Sequence, residues 1–104
     1  MLRGEMAFEI ELTPEAVDHL ALLTARQRAT LLSAVAQQLR HEPRCETRNR
    51  RPLRPNPLAQ WRLRVGNLRV YYDVDGPRVG LVLVKAIGVK DRDRVRVGGV
   101  EIKL

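Results

Sequence analysis

Apolar and polar positions alternate most strictly over residues 61–72, where Trp61, Leu63, Val65, Leu68, Val70 and Tyr72 interleave with Arg62, Arg64, Arg69 and Tyr71. A period of two is the signature of a strand with one buried face. The two runs meet at Gly66-Asn67, a two-residue connection of the kind that closes tight hairpins. That closure predicts a register: Val65 opposite Leu68, Leu63 opposite Val70 and Trp61 opposite Tyr72 on the core face. On the other face Arg64 meets Arg69 and Arg62 meets Tyr71, which predicts Arg62, Arg64, Arg69 and Tyr71 as exposed. Like charges directly opposed cost a sheet about a few tenths of a kcal/mol per pair. Folding has no use for such a cluster, whereas an anionic ligand such as a phosphate backbone would explain it.

The same reading extends along the chain. Phe8, Ile10 and Leu12 alternate with Glu9 and Glu11, a first strand buried on one face. Thr13-Pro14-Glu15 then supplies a hydroxyl N-cap, a proline at the first helical position and an acid in the first turn. Val17, Leu20 and Leu23 mark that helix's apolar stripe. Thr24 and Gln27 have the spacing of a capping box, so a second helix begins there. Its stripe is Leu31, Leu32, Val35 and Leu39, and Pro43 ends it. Residues 43–59 hold Pro43, Pro52, Pro55 and Pro57, which predicts an irregular or extended connection. After a turn at Asp75-Gly76-Pro77, residues 79–87 are almost continuously apolar, as in a central strand buried on both faces, with Gly88 as its end. Lys90 to Arg94 is a mixed-charge segment, and Gly98-Gly99 predicts a small terminal hairpin between Val95-Arg96-Val97 and Val100-Glu101-Ile102. The expected fold is α+β: an N-terminal strand and an αα-hairpin packed on a mainly antiparallel sheet of about four to five strands.

The length of 104 residues suits one domain, with residues 1–5 a flexible extension if Met6 is the start. Charged residues make up 30% and hydrophobic ones 44%, a globular balance. The net charge is +7, and only three of the 19 basic residues are lysines. Such a basic domain suits nucleic acid, an anionic membrane or an acidic protein, and arginines ordered along strands rank nucleic acid first. Arginine's planar fork fits phosphate, although a GC-rich genome produces the same bias. Cys45 is the single cysteine, so no intrachain disulfide is possible; with no apolar leader and no membrane-spanning run, a cytoplasmic location is expected. His19 and His41 stand alone, which argues against a metal site.

The order of these motifs resembles the RelE/ParE superfamily of bacterial toxins, the toxic halves of type II toxin–antitoxin pairs. The resemblance rests on residues 8–16, Asn49-Arg50-Arg51-Pro52-Leu53, the hairpin of residues 61–72 and the apolar strand leading to Ile87-Gly88. It covers nearly the whole chain and is more specific for fold than for activity. It implies a metal-independent, ribosome-dependent mRNA endonuclease that uses no cofactor and is held in check by an acidic cognate antitoxin, with ribosome and mRNA as further partners. Positive residues of the family fall on Arg62, Arg64 and Arg69, and one after the last core glycine falls on Lys90. Arg96 stands near the place where the best-studied nucleases carry a proton-transfer group, and a Gly98-Gly99 hairpin replaces a final helix.

Cleavage by a neighbouring 2′-hydroxyl needs a base, cations for the dianionic phosphorane and an acid for the leaving oxygen. Arg64 and Arg69 could hold the non-bridging oxygens, with Arg62 and Lys90 orienting the backbone. Tyr71, with cations beside it to lower its pKa, is the candidate for proton transfer or base stacking; the plain alternative is an ordinary exposed strand tyrosine. Arg50, Arg51 and Arg54 in the proline-rich connection, and Arg92, Arg94 and Arg96 near the end, are the expected supplementary RNA contacts. The connection reads either as a solvated loop or as a flexible electrostatic arm. Two rival functions stay open: a ParE-like inhibitor of DNA gyrase, and a non-catalytic homologue that binds only its antitoxin.

Overall fold

A computed structural model describes residues 7–77 and 80–103. The expected extension at residues 1–5 and the expected strand start at Val79 lie outside the described residues. The elements are β1 (Glu9–Leu12), α1 (Pro14–Ala21), α2 (Ala25–Leu39), β2 (Arg50–Pro52), β3 (Trp61–Val65), β4 (Leu68–Asp75), β5 (Leu81–Asp91), β6 (Arg94–Val97) and β7 (Val100–Ile102). The strands form one seven-stranded sheet in the order β2-β3-β4-β5-β6-β7, and β1 pairs with β5 in parallel. Seven exceeds the four or five expected. One addition is β2, hidden in the proline-rich connection, where Pro52 is tolerated because the strand lies at the sheet edge. At 11 residues β5 is long enough to take β1 along Leu81–Val84 and β6 along Gly88–Asp91 on the same side.

Local chemistry sets the helices as expected. The Thr13 hydroxyl accepts from Ala16 N–H at 3.1 Å, and Thr24 and Gln27 exchange both bonds of a capping box. The stripes are shifted, however. On α1 the inward residues are Ala16, Leu20 and, just beyond the helix, Leu23, while Val17 points out at 51% exposure. On α2, Leu31, Val35 and Leu39 are buried and Leu32 is exposed. With Phe8 these residues cover the inner face of the sheet, made of Leu63, Leu68, Val70, Tyr72, Val74, Val82, Val84 and Ile87. Trp61 stacks on Tyr72 with centroids 6.3 Å apart, and the Tyr72 hydroxyl donates to the Pro43 carbonyl at 2.7 Å. Both aromatics sit on the core face, as the hairpin register requires.

Gly88 does not end the strand. It pairs with Arg69 and Val97 in mid-sheet, where an added Cβ would come within 2.9 Å of Val95 Cγ1. The missing side chain lets Val95 and Val97 fold across the outer face. The β5–β6 turn is made by Arg92, at φ +62°, and Asp93. Gly98 and Gly99 carry φ of +60° and +82°, the sign pattern of a I′ hairpin turn. Between β4 and β5 the register slips at Tyr71/Tyr72, so that Lys85 is a bulge residue without a cross-strand partner. The slip keeps Val84 and Ile87 in the main core and turns Ala86 outward, where it joins Ala59 and Tyr71 in a second, smaller apolar cluster.

Candidate nucleic-acid interface

The second cluster changes the outer face from the bare arginine platform expected into a walled groove of about 970 Å³. One wall is the segment from Arg51 to Asn56, and the other is the β6–β7 hairpin. Seven basic side chains line it, among them Arg51, Arg62, Arg69 and Lys90, against the two carboxylates of Asp93 and Glu101. Tyr71, Leu53, Val95 and Ile102 give it an apolar floor. Four of the five expected reacting residues, Arg62, Arg69, Tyr71 and Lys90, therefore meet in one cleft.

The hairpin register is the one predicted, with Arg62 opposite Tyr71 and Arg64 opposite Arg69. β2 adds Arg51 on the other flank of Arg62, so three strands bring charge to one point. The Arg62 Nε–H is buried with no hydrogen-bond partner, the one such side-chain atom among the described residues. Burial, then the charges of Arg69, Arg51 and Arg64, push the Arg62 guanidinium pKa below its ordinary value. An orphaned donor in a crowd of cations has an obvious complement, an anionic oxygen.

None of the four residues expected to be exposed is so: Arg62 and Arg64 are half-buried, and Arg69 and Tyr71 are buried. Arg69 is only 6% exposed, because its Nη1 folds back to donate to the carbonyls of Gly66 and Leu68, both at 2.9 Å. Burial holds its pKa down. Tyr71 is 2% exposed, roofed by Ala59 and Ala86 with Leu58, Leu53 and Val95 around them, and is neither free on a strand nor acidified. Burial raises its pKa and outweighs the opposing charges of Arg69 and Arg62, so the phenol stays protonated. Arg64 flanks the groove rather than lining it, with Nε and Nη2 each 3.4 Å from Asn49 Oδ1.

The supplementary arginines divide. Arg51 and Arg54 line the groove, as does Arg94, whose Nη1 is 3.8 Å from Glu101 Oε1. Arg50 does not: it pairs with Leu63 on the core face, is 7% exposed, and donates to the carbonyls of Cys45 and Gln38, the latter at the end of α2. Arg96 pairs with Val89, whose side chain packs on the main core, so alternation sends Arg96 to the face away from the groove. Arg92 sits exposed at the β5–β6 turn, outside the lining.

The proline-rich wall is built rather than flexible. Asn56 makes four side-chain bonds: Oδ1 accepts from Leu58 and Ala59 N–H, and Nδ2 donates to the carbonyls of Arg54 and Ala59. Leu53 N–H donates to the Gln60 carbonyl at 2.8 Å, closing the loop across its base. Sequence reasoning passed over Asn56, whose Asn-Pro-Leu context is an Asx-turn signal. It also passed over Lys85 and Asp73, whose ammonium and carboxylate stand 3.5 Å apart beside the same loop. The lone charge of Lys85 within the apolar strand was the available clue. His19 is structural, its Nδ1 accepting from Ile87 N–H at 3.2 Å. No cluster of metal-ligating side chains occurs among the described residues, and none of their helices is long and apolar enough to cross a membrane.

No family model and no curated protein matches this chain. Among solved structures, a chain of the RelBE2 toxin–antitoxin complex from Mycobacterium tuberculosis matches with a TM-score of 0.68, at 23% identity, over 81% of this chain and 99% of its own. The likeness is one of fold, and it agrees with the order of motifs along the sequence: this chain has a RelE-like fold.

Proposed function

We propose that this protein is the toxin of a type II toxin–antitoxin pair, acting as a ribosome-dependent mRNA endonuclease that arrests translation. The observation that carries the reading is the buried, unpartnered Arg62 Nε–H at the floor of a groove lined by Arg51, Arg69 and Lys90. A backbone phosphate seated there satisfies the orphaned donor and offsets the repulsion among the arginines at one stroke. The RelE-like fold, shared with a chain of a toxin–antitoxin complex, supports the same assignment.

In this mechanism the 2′-oxygen attacks the adjacent phosphorus, its proton passing to solvent. The P–O5′ bond breaks, leaving a 2′,3′-cyclic phosphate and a 5′-hydroxyl. Arg62, Arg69 and Arg51 stabilise the charge that builds on the non-bridging oxygens, Arg69 from a buried position and Arg62 from a half-buried one. Tyr71, kept neutral by burial, gives its proton to the leaving oxygen, and Arg69 and Arg62 stabilise the phenolate as it forms. Arg64 and Lys90 hold the strand on either side. An acidic antitoxin segment would silence the protein by covering the same groove.

Purified protein added to translating ribosomes is expected to produce new mRNA ends, which Arg62→Ala and Tyr71→Phe reduce. Unchanged ends with wild-type protein would refute the endonuclease. The gyrase reading draws support from a different observation: Arg96, near the family's proton-transfer position, faces away from the groove. Loss of supercoiling activity in a gyrase assay, with intact mRNA on ribosomes, would decide for it.

A further inference from the structure

A second pocket of about 300 Å³ opens on the far side of the loop that walls the groove, and the two share Leu53, Arg54, Pro55 and Asn56. Its polar centre is Asp73 and Lys85, with Gln60 beside them. Three features show this pair to be held in place. The bulge frees Lys85 from cross-strand pairing and turns it toward Asp73. Helix α1 fixes that bulge from behind, through the Thr13 hydroxyl donating to the Lys85 carbonyl at 3.2 Å and His19 Nδ1 accepting from Ile87 N–H. Asp73 is oriented by Gln60 N–H, which donates to Oδ1 at 2.8 Å. Bulges commonly re-aim a side chain beside a site.

The ammonium and carboxylate are nevertheless 3.5 Å apart, with side chains 35% and 30% exposed. That is longer than a charge-assisted bond of about 2.8 Å, so both keep hydrogen-bonding capacity for a third group. Asp73 also follows Arg69 and Tyr71 on the outer face of β4, at steps of about 7 Å along the strand. A single strand whose phosphate sits on Arg62 and Arg69, and which crosses the loop at Arg54, would bring a base to this pair.

We propose that Asp73 and Lys85 form a guanine-reading subsite adjoining the phosphate groove. This rests on the RNA-binding reading above. Among the four bases guanine alone presents two adjacent donors, N1–H and N2–H, next to an acceptor, O6. The Asp73 carboxylate takes the two donors and the Lys85 ammonium gives to O6. Adenine, cytosine and uracil each leave the carboxylate facing an acceptor or a gap, and an unpaired polar edge is what a base-reading site rejects.

The experiment measures binding of hexauridylate and of six hexamers that carry a single guanosine at each position in turn. Guanosine at one position is expected to tighten binding roughly tenfold. Inosine there, which lacks the N2 amino group, loses most of that gain, and so does the RNA's gain with Asp73→Asn or Lys85→Gln. Asp73→Asn keeps the oxygen that Gln60 N–H needs, and the inosine arm needs no protein variant at all. Hexamers that bind alike, all weakened by Arg62→Ala, would overturn the guanine subsite alone. No binding of any hexamer by wild-type protein would overturn it together with the groove as an RNA site.

Discussion

Replacing Arg62 by methionine keeps the aliphatic stem and removes the charge, and it should move stability and binding in opposite directions. In the folded protein this guanidinium faces Arg51 on one strand, has Arg69 and Arg64 close by, and leaves its Nε–H buried without a partner. An unsatisfied buried donor costs about 1–3 kcal/mol. Because the rest of the side chain is only half-buried, the lower end of that range applies. Arg62→Met should therefore gain about 1 kcal/mol, or about 4 °C in Tm for a domain of this size. Its affinity for a short single-stranded RNA should fall roughly tenfold or more, since a hydrogen bond to a charged group contributes about 1.5–3 kcal/mol. The slope of log affinity against log salt should shrink by about 0.7, the value of one phosphate contact on a single strand. Thermal unfolding and fluorescence anisotropy at several salt concentrations supply both readouts. A variant that melts lower and binds RNA as tightly as the parent would refute the reasoning, because Arg62 would then be a structural residue.

Arg50→Met should do the reverse, losing about 2 kcal/mol in denaturant unfolding, since Arg50 is buried and its departure strands the Gln38 and Cys45 carbonyls; RNA affinity should stay within about twofold. Asn56→Ala removes all four bonds that shape the groove wall and should lower stability by about 1–2 kcal/mol. Faster amide exchange at Leu58 and Ala59 would locate the damage. Tyr71 has a folded-state pKa above its ordinary value near 10. Its contribution is therefore fully present below about pH 10 and is lost as pH rises through the folded value. Denaturation between pH 8 and 11 should show a steeper fall for wild type than for Tyr71→Phe; parallel curves would contradict the burial argument.

What could be read from the chain alone was what is decided locally. Gly66-Asn67 with strict alternation on both sides specifies one register, because a slip of one residue would bury arginines. Thr13-Pro14 and Thr24…Gln27 act within a single helical turn. The misreadings all depend on distant chain. Tyr71 alternates as an exposed residue, but the loop at Leu53–Ala59 and the β6–β7 hairpin arrive from elsewhere to cover it. Arg50 and Arg51 are chemically alike and differ only in which face of β2 they take, and β2 itself was concealed by its proline. Gly88 looks like a strand end because a glycine that ends a strand and a glycine crossed by another strand are the same letter. Leu32 and Val17 fit a helical stripe as well as their buried neighbours do, and only the angle at which each helix meets the sheet separates them.

The placement of β1 and β6 side by side along one edge of β5 also bears on how the protein is made. Glu9 pairs with Leu81, so β1 waits through more than 70 residues of synthesis for its partner. Contacts so distant in sequence close slowly, because chain entropy must be lost before they are rewarded. One wall of the basic groove belongs to β6 and β7, which are made later still. A nascent chain therefore carries its arginines in unordered form until the final strands have been added. The basic groove assembles only after β6 and β7 have been made, the last of the described strands to join the sheet.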